Sequence, residues 1–296
     1  EIDPGLALIN KKNGEVSMEQ FREPTERLSC SFERIYFSKG SDVEIYRERK
    51  QLGRLLSDKI LQAVNYDLKN TVFSFIPNTA EVAFFGMVDG VQQYVRRHQK
   101  DTLLHKKEQL NDEQLDELLS MAPRVEKLAV KDVKLRTFIT QDADRSEMVA
   151  HVYDTTYGII NNHQDTLVAL DDSIVRGTTL KQSIIKMMDR LNPKRIVVVS
   201  SAPQIRYPDC YGIDMAKLEG LVAFKAAYEL LKERDMMHIV EEVYKKSKAQ
   251  ENTPVADVVN YVKEFYAPFT DEEISDKISE LLSSGDINAE VKIIFQ

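Results

Sequence analysis

Two short and almost wholly apolar segments, TLVAL at 166–170 and RIVVV at 195–199, constrain the fold of this chain more than any other feature. Residues 180–191, which lie between them, show the apolar periodicity of a helix, so the local order is strand, loop, helix, strand. Apolar strands separated by helices are typical of a parallel sheet that is covered by helices on both faces. We therefore predict an α/β fold with a parallel sheet flanked by helices.

The first half of the chain supplies further elements of the same kind. We predict strands at 33–37, 71–76 and 134–139, and helices over 46–64 and after Pro77. The helix after Pro77 is predicted to use one face for packing, which consists of Val82, Phe85, Val88 and Val91.

The two ends of the chain have their own patterns. Residues 1–16 are predicted to form two strands around Asn13-Gly14, a dipeptide that favours a type I′ hairpin turn. After about residue 215 the chain is acidic and helical, and it closes with a strand candidate at 289–295. Thr270 and Glu273 are spaced as a capping box, which predicts the start of a helix.

Charge and cysteine content exclude several classes of protein. The chain has 40 Lys and Arg against 48 Asp and Glu, a formal charge of −8, so basic residues do not dominate as nucleic-acid binding requires. No apolar run approaches the roughly 18 residues that cross a membrane, and the first residues do not resemble a signal peptide. Cys30 and Cys210 are the only cysteines, which excludes a disulfide framework and favours the cytoplasm. Because the sequence begins with Glu1, we expect a piece of a longer protein.

The segment LVALDDSIVRGTTL at 167–180 carries the chemistry. Asp171 and Asp172 follow a predicted strand, and parallel sheets bind their ligands at such strand ends. The small residues of 173–179 then lead into a helix, where main-chain N–H groups and hydroxyls bind phosphate. Gly177 allows a close approach of the backbone to the anion. A sugar phosphate fits both parts, because its hydroxyls donate to the carboxylates while its phosphate lies in the loop.

This string resembles the phosphoribosyl pyrophosphate (PRPP) signature of the type I phosphoribosyltransferases over 167–179. DDSIVRGTT is similar to the version found in glutamine PRPP amidotransferases, which catalyse the first step of purine synthesis. Other segments resemble parts of that family in the same order: 1–16 the end of its glutaminase domain, 30–42 its interdomain segment, 76–80 its pyrophosphate loop, 135–139 its flexible catalytic loop and 200–215 the stretch after the next strand.

The resemblance implies three regions. Residues 1–28 would be the remnant of a glutaminase domain with its linker, and 29–215 a phosphoribosyltransferase domain with the type I fold. Residues 216–296 would form a helical C-terminal region. The segment 96–124, which is highly charged with leucines at helical spacing, would be a solvated helical insertion in the second region.

The resemblance also implies a reaction, in which ammonia released from glutamine displaces pyrophosphate from PRPP and gives 5-phosphoribosylamine. Lys134 and Arg136 would be catalytic, because they would neutralise the departing pyrophosphate. Asp171 and Asp172 would be associated with Mg²⁺, the expected cofactor. The residues expected to bind PRPP are Asp171, Asp172, Ser173, Ile174, Val175, Arg176, Gly177, Thr178, Thr179, Asn78, Thr79 and Lys131.

Further expectations follow from the same resemblance. Purine nucleotides would be feedback inhibitors, the protein would be a homo-oligomer, and neither nucleic acid nor membrane would be a partner. Some relatives hold an iron–sulfur cluster on four cysteines, and two cysteines cannot build it, so we expect none.

The sequence departs from the family pattern in two places, which keeps two alternatives open. Asn78 and Ala80 flank Thr79 where the family has an acid and a hydroxyl, and Asp132 is one of the residues that replace basic ones around the flexible loop. A module that binds PRPP without turning it over is the first alternative. A different type I phosphoribosyltransferase, acting on a nucleobase, is the second.

Overall fold

The computed structural model of this chain describes residues 2–24, 30, 32–131, 153–178, 180–208, 217–283, 285 and 287–296. Its strands are β1 (Leu6–Asn10), β2 (Val16–Gln20), β3 (Thr71–Phe75), β4 (Arg124–Val125), β5 (Ala129–Lys131), β6 (Tyr153–Thr155), β7 (Thr166–Asp171), β8 (Arg195–Ser200) and β9 (Glu290–Phe295). Its α-helices are α1 (Val43–Ala63), α2 (Glu81–Lys106), α3 (Asp112–Ser120), α4 (Lys186–Asp189), α5 (Val222–Glu233), α6 (His238–Ala249), α7 (Val262–Tyr266) and α8 (Asp271–Ser283).

A five-stranded sheet in the order β4-β3-β7-β8-β9 forms the centre of the fold, and each neighbouring pair is parallel. The register aligns Phe73 with Val168, and Val168 with Val197. All five residues of β3 are buried, as are the four central residues of β7. The predicted parallel sheet with helices on its faces is therefore confirmed.

Alternate residues of the strands pack against helices on opposite faces of the sheet. On one face, Phe73, Val168 and Val197 contact α1 and α2. On the other face, Leu167 and Ile196 pack with side chains from the turn 180–185 and from helices α4, α5, α7 and α8. Burial on both faces explains why these strands are continuously apolar in sequence.

Helices α1 and α2 approach each other closely because glycines lie at their contact. A Cβ atom at Gly53 would lie 1.7 Å from the carbonyl oxygen of Ala83, and one at Gly86 would lie 1.8 Å from that of Lys50. Asp42 begins α1, because its Oδ1 accepts hydrogen bonds from the main-chain N–H groups of Glu44 (2.9 Å) and Ile45 (3.1 Å).

The predicted strand at 33–37 is wrong, because these residues form a wide helical turn, Glu33–Phe37. The N–H of Ser38 donates to the carbonyl oxygen of Glu33 at 2.7 Å and closes the turn. The rings of Phe32, Tyr36 and Phe37 contact one another within it. This ring packing, together with the burial of Ile35, favours the helical turn over the extended form that the β-branched and aromatic residues indicate. We call residues 32–38 the aromatic turn.

The predicted packing face of the helix after Pro77 is wrong in part. Phe85 is 47% exposed, whereas the buried face of α2 contains Ala83, Phe84, Met87, Val91 and Val95. Compared with the predicted orientation, α2 is rotated about its axis. Its small residues face α1, and its large buried residues face the sheet. Val91 is buried and Val88 packs partly buried against the same core, so two of the four predicted residues belong to the observed face.

The N-terminal hairpin is confirmed, and its turn differs from the prediction. β1 and β2 are antiparallel, and the N–H of Gly14 donates to the carbonyl oxygen of Lys11 at 2.9 Å. Gly14 has a φ of +87° and Asn13 does not have a positive φ, so Lys12 and Asn13 occupy the centre of the turn. A type I′ turn at Asn13-Gly14 would require both residues to have positive φ.

The C-terminal predictions are confirmed. Thr270 and Glu273 form the capping box of α8: the Glu273 N–H donates to Thr270 Oγ1 at 3.1 Å, and the Thr270 N–H to Glu273 Oε2 at 2.8 Å. The closing strand β9 lies in the central sheet, parallel to β8. Residues 96–124 are helical over most of their length. The strand expected at 134–139 lies outside the described residues, and the division into three regions stays a prediction.

In the part of the chain that the structure covers, no helix is long and apolar enough to cross a membrane.

Candidate functional site

The candidate site lies at the carboxyl ends of β3 and β7. The chain continues from β3 to β4 on one side of the sheet and from β7 to β8 on the other, so the gap between β3 and β7 is a topological switch point. Open α/β sheets bind their ligands at such points. The N–H of Ile76 donates to the carbonyl oxygen of Leu170 at 2.9 Å, which holds the segment 76–80 beside Asp171 and Asp172.

The main chain of the two aspartates is fixed by the next strand. Ser201, which follows β8, donates its N–H to the carbonyl oxygen of Asp171 at 2.9 Å and its hydroxyl to that of Asp172 at 3.1 Å. The N–H of Asp172 donates to Asp171 Oδ1 at 2.9 Å, and the hydroxyl of Ser173 donates to Asp172 Oδ1 at 3.2 Å. The two carboxylates are therefore held where the strands of the sheet have their carboxyl ends.

Thr79 connects the segment 76–80 to these carboxylates. Its side chain acts on the carboxylate of Asp172 and lowers the pKa of that group. The peptide bond between Pro77 and Asn78 is cis, and the Asn78 side chain is exposed. The structure thus brings together two segments that are far apart in sequence and that were both expected to bind PRPP.

The two carboxyl groups influence each other strongly. Burial raises the pKa of Asp171 well above its ordinary value, and the neighbouring carboxylate of Asp172 raises it further. Burial also raises the pKa of Asp172, although hydrogen bonds from Ser173 and Thr79 and the positive charge of Arg49 oppose that rise. Negative charge in this cleft is therefore unfavourable unless a cation or a hydroxyl donor comes close to it.

The loop after the aspartates is held by apolar side chains. Ile174 is 3% exposed and belongs to the core, and Val175 packs against Phe32 and Leu221. The carbonyl oxygen of Val175 accepts a hydrogen bond from the N–H of Val222 at 2.8 Å. The side chains of Ile174 and Val175 thus anchor the loop, so their expected contact with a ligand is through the main chain.

Gly177 packs directly against the C-terminal helices. Its φ is +71°, and a Cβ atom there would lie 2.8 Å from Cδ2 of Leu282 and 3.3 Å from Cγ2 of Val222. Four residues later, Lys181 Nζ donates to the carbonyl oxygen of Leu281 at 2.7 Å. The end of α8 therefore supports the loop. The sequence did not indicate this contact. Arg176 and Thr178 are exposed.

Three of the expected site residues, Lys134, Arg136 and Thr179, lie outside the described residues. Lys131 is the last residue of β5, where its main chain pairs with Tyr153 of β6. Sequence reasoning missed Ser201 and Arg49. Ser201 lies in a segment that carries the family resemblance, whereas Arg49 lies in a helix rich in charged residues and has no local signal.

Asp171 and Asp172 are the candidate ligands for Mg²⁺. Within the ranges that the structure covers, no group of three or more His, Cys, Asp or Glu side chains could hold a metal. Asp171 and Asp172 offer carboxylates at one strand end, and Mg²⁺ is commonly bound by one or two carboxylates together with water and substrate phosphate. The residues present therefore fit Mg²⁺ that arrives with a phosphorylated substrate.

The parallel sheet and its flanking helices have the type I phosphoribosyltransferase fold. No protein-family model matches the chain. Two solved structures are similar to it, each at 25% identity. The PRPP amidotransferase of Bacillus subtilis complexed with ADP and GMP has a TM-score of 0.51 and is matched over 78% of this chain and 44% of that one. A structure described as the allosteric regulatory enzyme of purine biosynthesis has a TM-score of 0.52, with 78% and 43% covered.

Curated relatives are named amidophosphoribosyltransferase. The one from Pseudomonas aeruginosa is 26% identical, over 77% of this chain and 40% of that protein. The one from Pasteurella multocida is 29% identical, over 76% and 39%. The match to the Saccharomyces cerevisiae protein, at 25% identity, covers 99% of this chain and 54% of that protein, so it extends to the C-terminal helices. The resemblance read from the sequence is confirmed, and the chain spans about two fifths of the two bacterial relatives.

Proposed function

We propose that this chain is the PRPP-using part of an amidophosphoribosyltransferase, which transfers ammonia to PRPP and gives 5-phosphoribosylamine and pyrophosphate. The hydrogen bond from the Ile76 N–H to the carbonyl oxygen of Leu170 carries this proposal, because it holds the segment expected at the pyrophosphate beside the carboxylates expected at the ribose. The names of the relatives support the same reaction. It would be the first step of purine synthesis.

Asp171 and Asp172 accept hydrogen bonds from the ribose hydroxyls in this proposal. Pyrophosphate leaves the anomeric carbon while ammonia arrives, so positive charge develops on the ring. Fixed carboxylates stabilise that charge without reorganising at the moment of reaction. Main-chain N–H groups of 173–178, at the start of a helical segment, bind the 5-phosphate. Neutral ammonia is itself a nucleophile, so no strong base is required.

The departing pyrophosphate requires positive charge beside it. Asp171 and Asp172 would hold Mg²⁺, which would supply part of that charge when it is bound with PRPP. Lys134 and Arg136 supply the remainder at the transition state, with Lys131 contributing to PRPP binding. In a longer protein the ammonia would come from glutamine. The Bacillus subtilis relative was solved with ADP and GMP, which supports purine nucleotides as inhibitors. A homo-oligomer remains the expected assembly.

Pyrophosphate release from PRPP, measured with and without added ammonium, tests the proposed function. We expect release that requires Mg²⁺ and ammonium and that does not respond to glutamine. Binding of PRPP without any release would favour the module that only binds, as the replaced basic residues around 132–152 suggest. Release that requires a nucleobase would identify a different phosphoribosyltransferase.

A further inference from the structure

β9 is an edge strand, and one side of its main chain faces away from the rest of the sheet. Among the residues that the structure describes, no strand lies beyond it in the order β4-β3-β7-β8-β9. In a parallel pair, alternate residues direct their main-chain groups toward the neighbouring strand. The N–H of Gln296 donates to the carbonyl oxygen of Ala202, just beyond β8, at 3.4 Å. By alternation, Val291, Ile293 and Phe295 direct their N–H and C=O groups outward.

Side chains from both faces of the sheet reach this outer edge. Ser279 of α8 is 8% exposed, and its Oγ accepts a hydrogen bond from the N–H of Ile293 at 2.9 Å. The same hydroxyl donates to the carbonyl oxygen of Ser275 at 2.8 Å, which fixes its orientation. From α1, on the opposite face, Lys59 Nζ donates to the carbonyl oxygen of Phe295 at 3.2 Å. One outward donor and one outward acceptor of β9 are therefore already occupied.

The composition of β9 and the space beside it would suit the addition of another strand. Its sequence, EVKIIF, consists of two charged residues and four residues with a high preference for strands. A groove of about 640 Å³, lined by residues of α1, α8 and β9, lies along this edge. Apolar edge strands pair with other chains unless side chains or covering elements prevent it. The two hydrogen bonds from α8 and α1 are such a protection.

Lys292 places a positive charge in the middle of the same strand. Its side chain lines the groove together with Lys59, and it forms no ion pair with any acidic residue in the described ranges. If the β9 strands of two copies paired in antiparallel fashion, their Lys292 side chains would lie opposite or diagonally next to each other. Like charges placed in this way destabilise a sheet.

We propose that Lys59, Ser279 and Lys292 close the outer edge of β9 to a second copy of this chain, which would otherwise extend the sheet through its own β9. Lys59 and Ser279 occupy main-chain groups that an added strand would need, and Lys292 repels its counterpart. A two-fold axis would relate the two strands, so both copies would have to release the same contacts. Neither PRPP nor any other ligand takes part in this closure.

The test is the self-association of a double variant, Lys59→Met with Ser279→Ala, measured by sedimentation velocity over a range of protein concentrations. Exchanging one hydrogen bond for another is worth roughly a factor of two to ten, so we expect the association constant to rise at least about tenfold over that of the unmodified protein. The matched control combines Lys225→Met with Ser283→Ala. Lys225 is an exposed lysine of α5, and Ser283 Oγ donates to the carbonyl oxygen of Glu280 within α8. This control should associate as the unmodified protein does.

Hydrogen exchange shows whether the added association uses this edge. In the double variant, exchange of the Val291 and Phe295 amides should slow as the protein concentration rises, because their outward N–H groups gain acceptors. Adding Lys292→Ala should raise the association constant by a further factor of about two to five, because it removes the repulsion.

An association constant that does not change in the double variant would overturn the proposal. So would association that leaves the exchange of both amides unchanged or faster, because it would then arise from a loosened fold and not from pairing at β9.

Discussion

At the scale of single residues, Gly177 is the most constrained position of the candidate site. We expect Gly177→Ala to destabilise the protein by about 2–3 kcal/mol, because it adds a contact with Leu282 to the strain of a positive φ. Urea unfolding measures the loss. Gly14→Ala is the control, since Gly14 has a φ of +87° with nothing within 4 Å of the added atom. Equal losses for both variants would contradict a role for the contact with α8.

Asp165 gives a prediction for pH. Its side chain is fully buried, and it accepts hydrogen bonds from Arg124 Nη1 at 2.9 Å and from the Asn161 N–H at 2.8 Å. Burial alone would raise the pKa of Asp165, but the bonds and the charge of Arg124 outweigh it, so the pKa lies below the ordinary value of 3.8. A lowered pKa stabilises the fold above pH 3.8, and the stabilisation disappears as the pH falls through the lowered value.

We therefore expect Asp165→Asn to lower the free energy of unfolding by about 2–3 kcal/mol at pH 7, and by progressively less as the pH falls toward 3. Chemical unfolding across this pH range is the measurement. Glu15→Gln, which removes an exposed ion pair with Lys11, should change the stability little at any pH. A difference for Asp165→Asn that does not depend on pH would contradict the role of the ionised carboxylate.

The part of the candidate site that could be predicted from sequence is the part whose residues are consecutive in the chain. Asp171 through Gly177 could be read as one string, because a strand end, two acids and a small-residue loop are all local features. Arg49 could not be identified from the sequence, because nothing there distinguishes it from Arg47 in the same charged helix. What distinguishes them is the pair of carbonyl groups in the aromatic turn, and these come near only in the folded chain.

At the scale of elements, the predictions failed where two patterns compete. The five residues 33–37 suit a strand by composition, and nothing in so short a segment shows that their rings contact one another. For α2, the spacing of the larger apolar residues suggested one face, while the close contact of its glycines with α1 selected another. The long apolar strands were predicted correctly because burial on both faces leaves a continuous pattern.

The attachment of β9 to α4 can be tested directly. Asp189, at the end of α4, accepts hydrogen bonds from the N–H groups of Asn288 (3.1 Å) and Ala289 (2.9 Å) just before the strand begins. We expect Asp189→Ala to speed hydrogen exchange of the β9 amides about tenfold, because main-chain donors then lose their acceptor. Asp276→Ala, at an exposed position of α8, is the control. Unchanged exchange in β9 would show that its pairing with β8 suffices.

At the scale of the whole molecule, ligand binding should raise the free energy of unfolding. If the proposed function holds, PRPP with Mg²⁺ at a hundredfold excess over its Kd should stabilise the fold by about 2.7 kcal/mol, as a ligand of the folded state alone does. The double substitution of Asp171 and Asp172 by Asn should abolish this effect, whereas Asp276→Asn should retain it. Thermal unfolding with and without ligand measures both. Full protection in the double variant would remove the two carboxylates from the site.

The position of β9 has a consequence for how the chain folds during synthesis. β8 ends at Ser200 and its outer partner begins only at Glu290, so the main-chain N–H and C=O groups on that side of β8 stay unpaired until the ribosome has passed residue 295. At about 5–20 residues per second, the delay is roughly 5 to 20 seconds. During it, the apolar strand Arg195–Ser200 is an open edge of the kind that pairs with other chains.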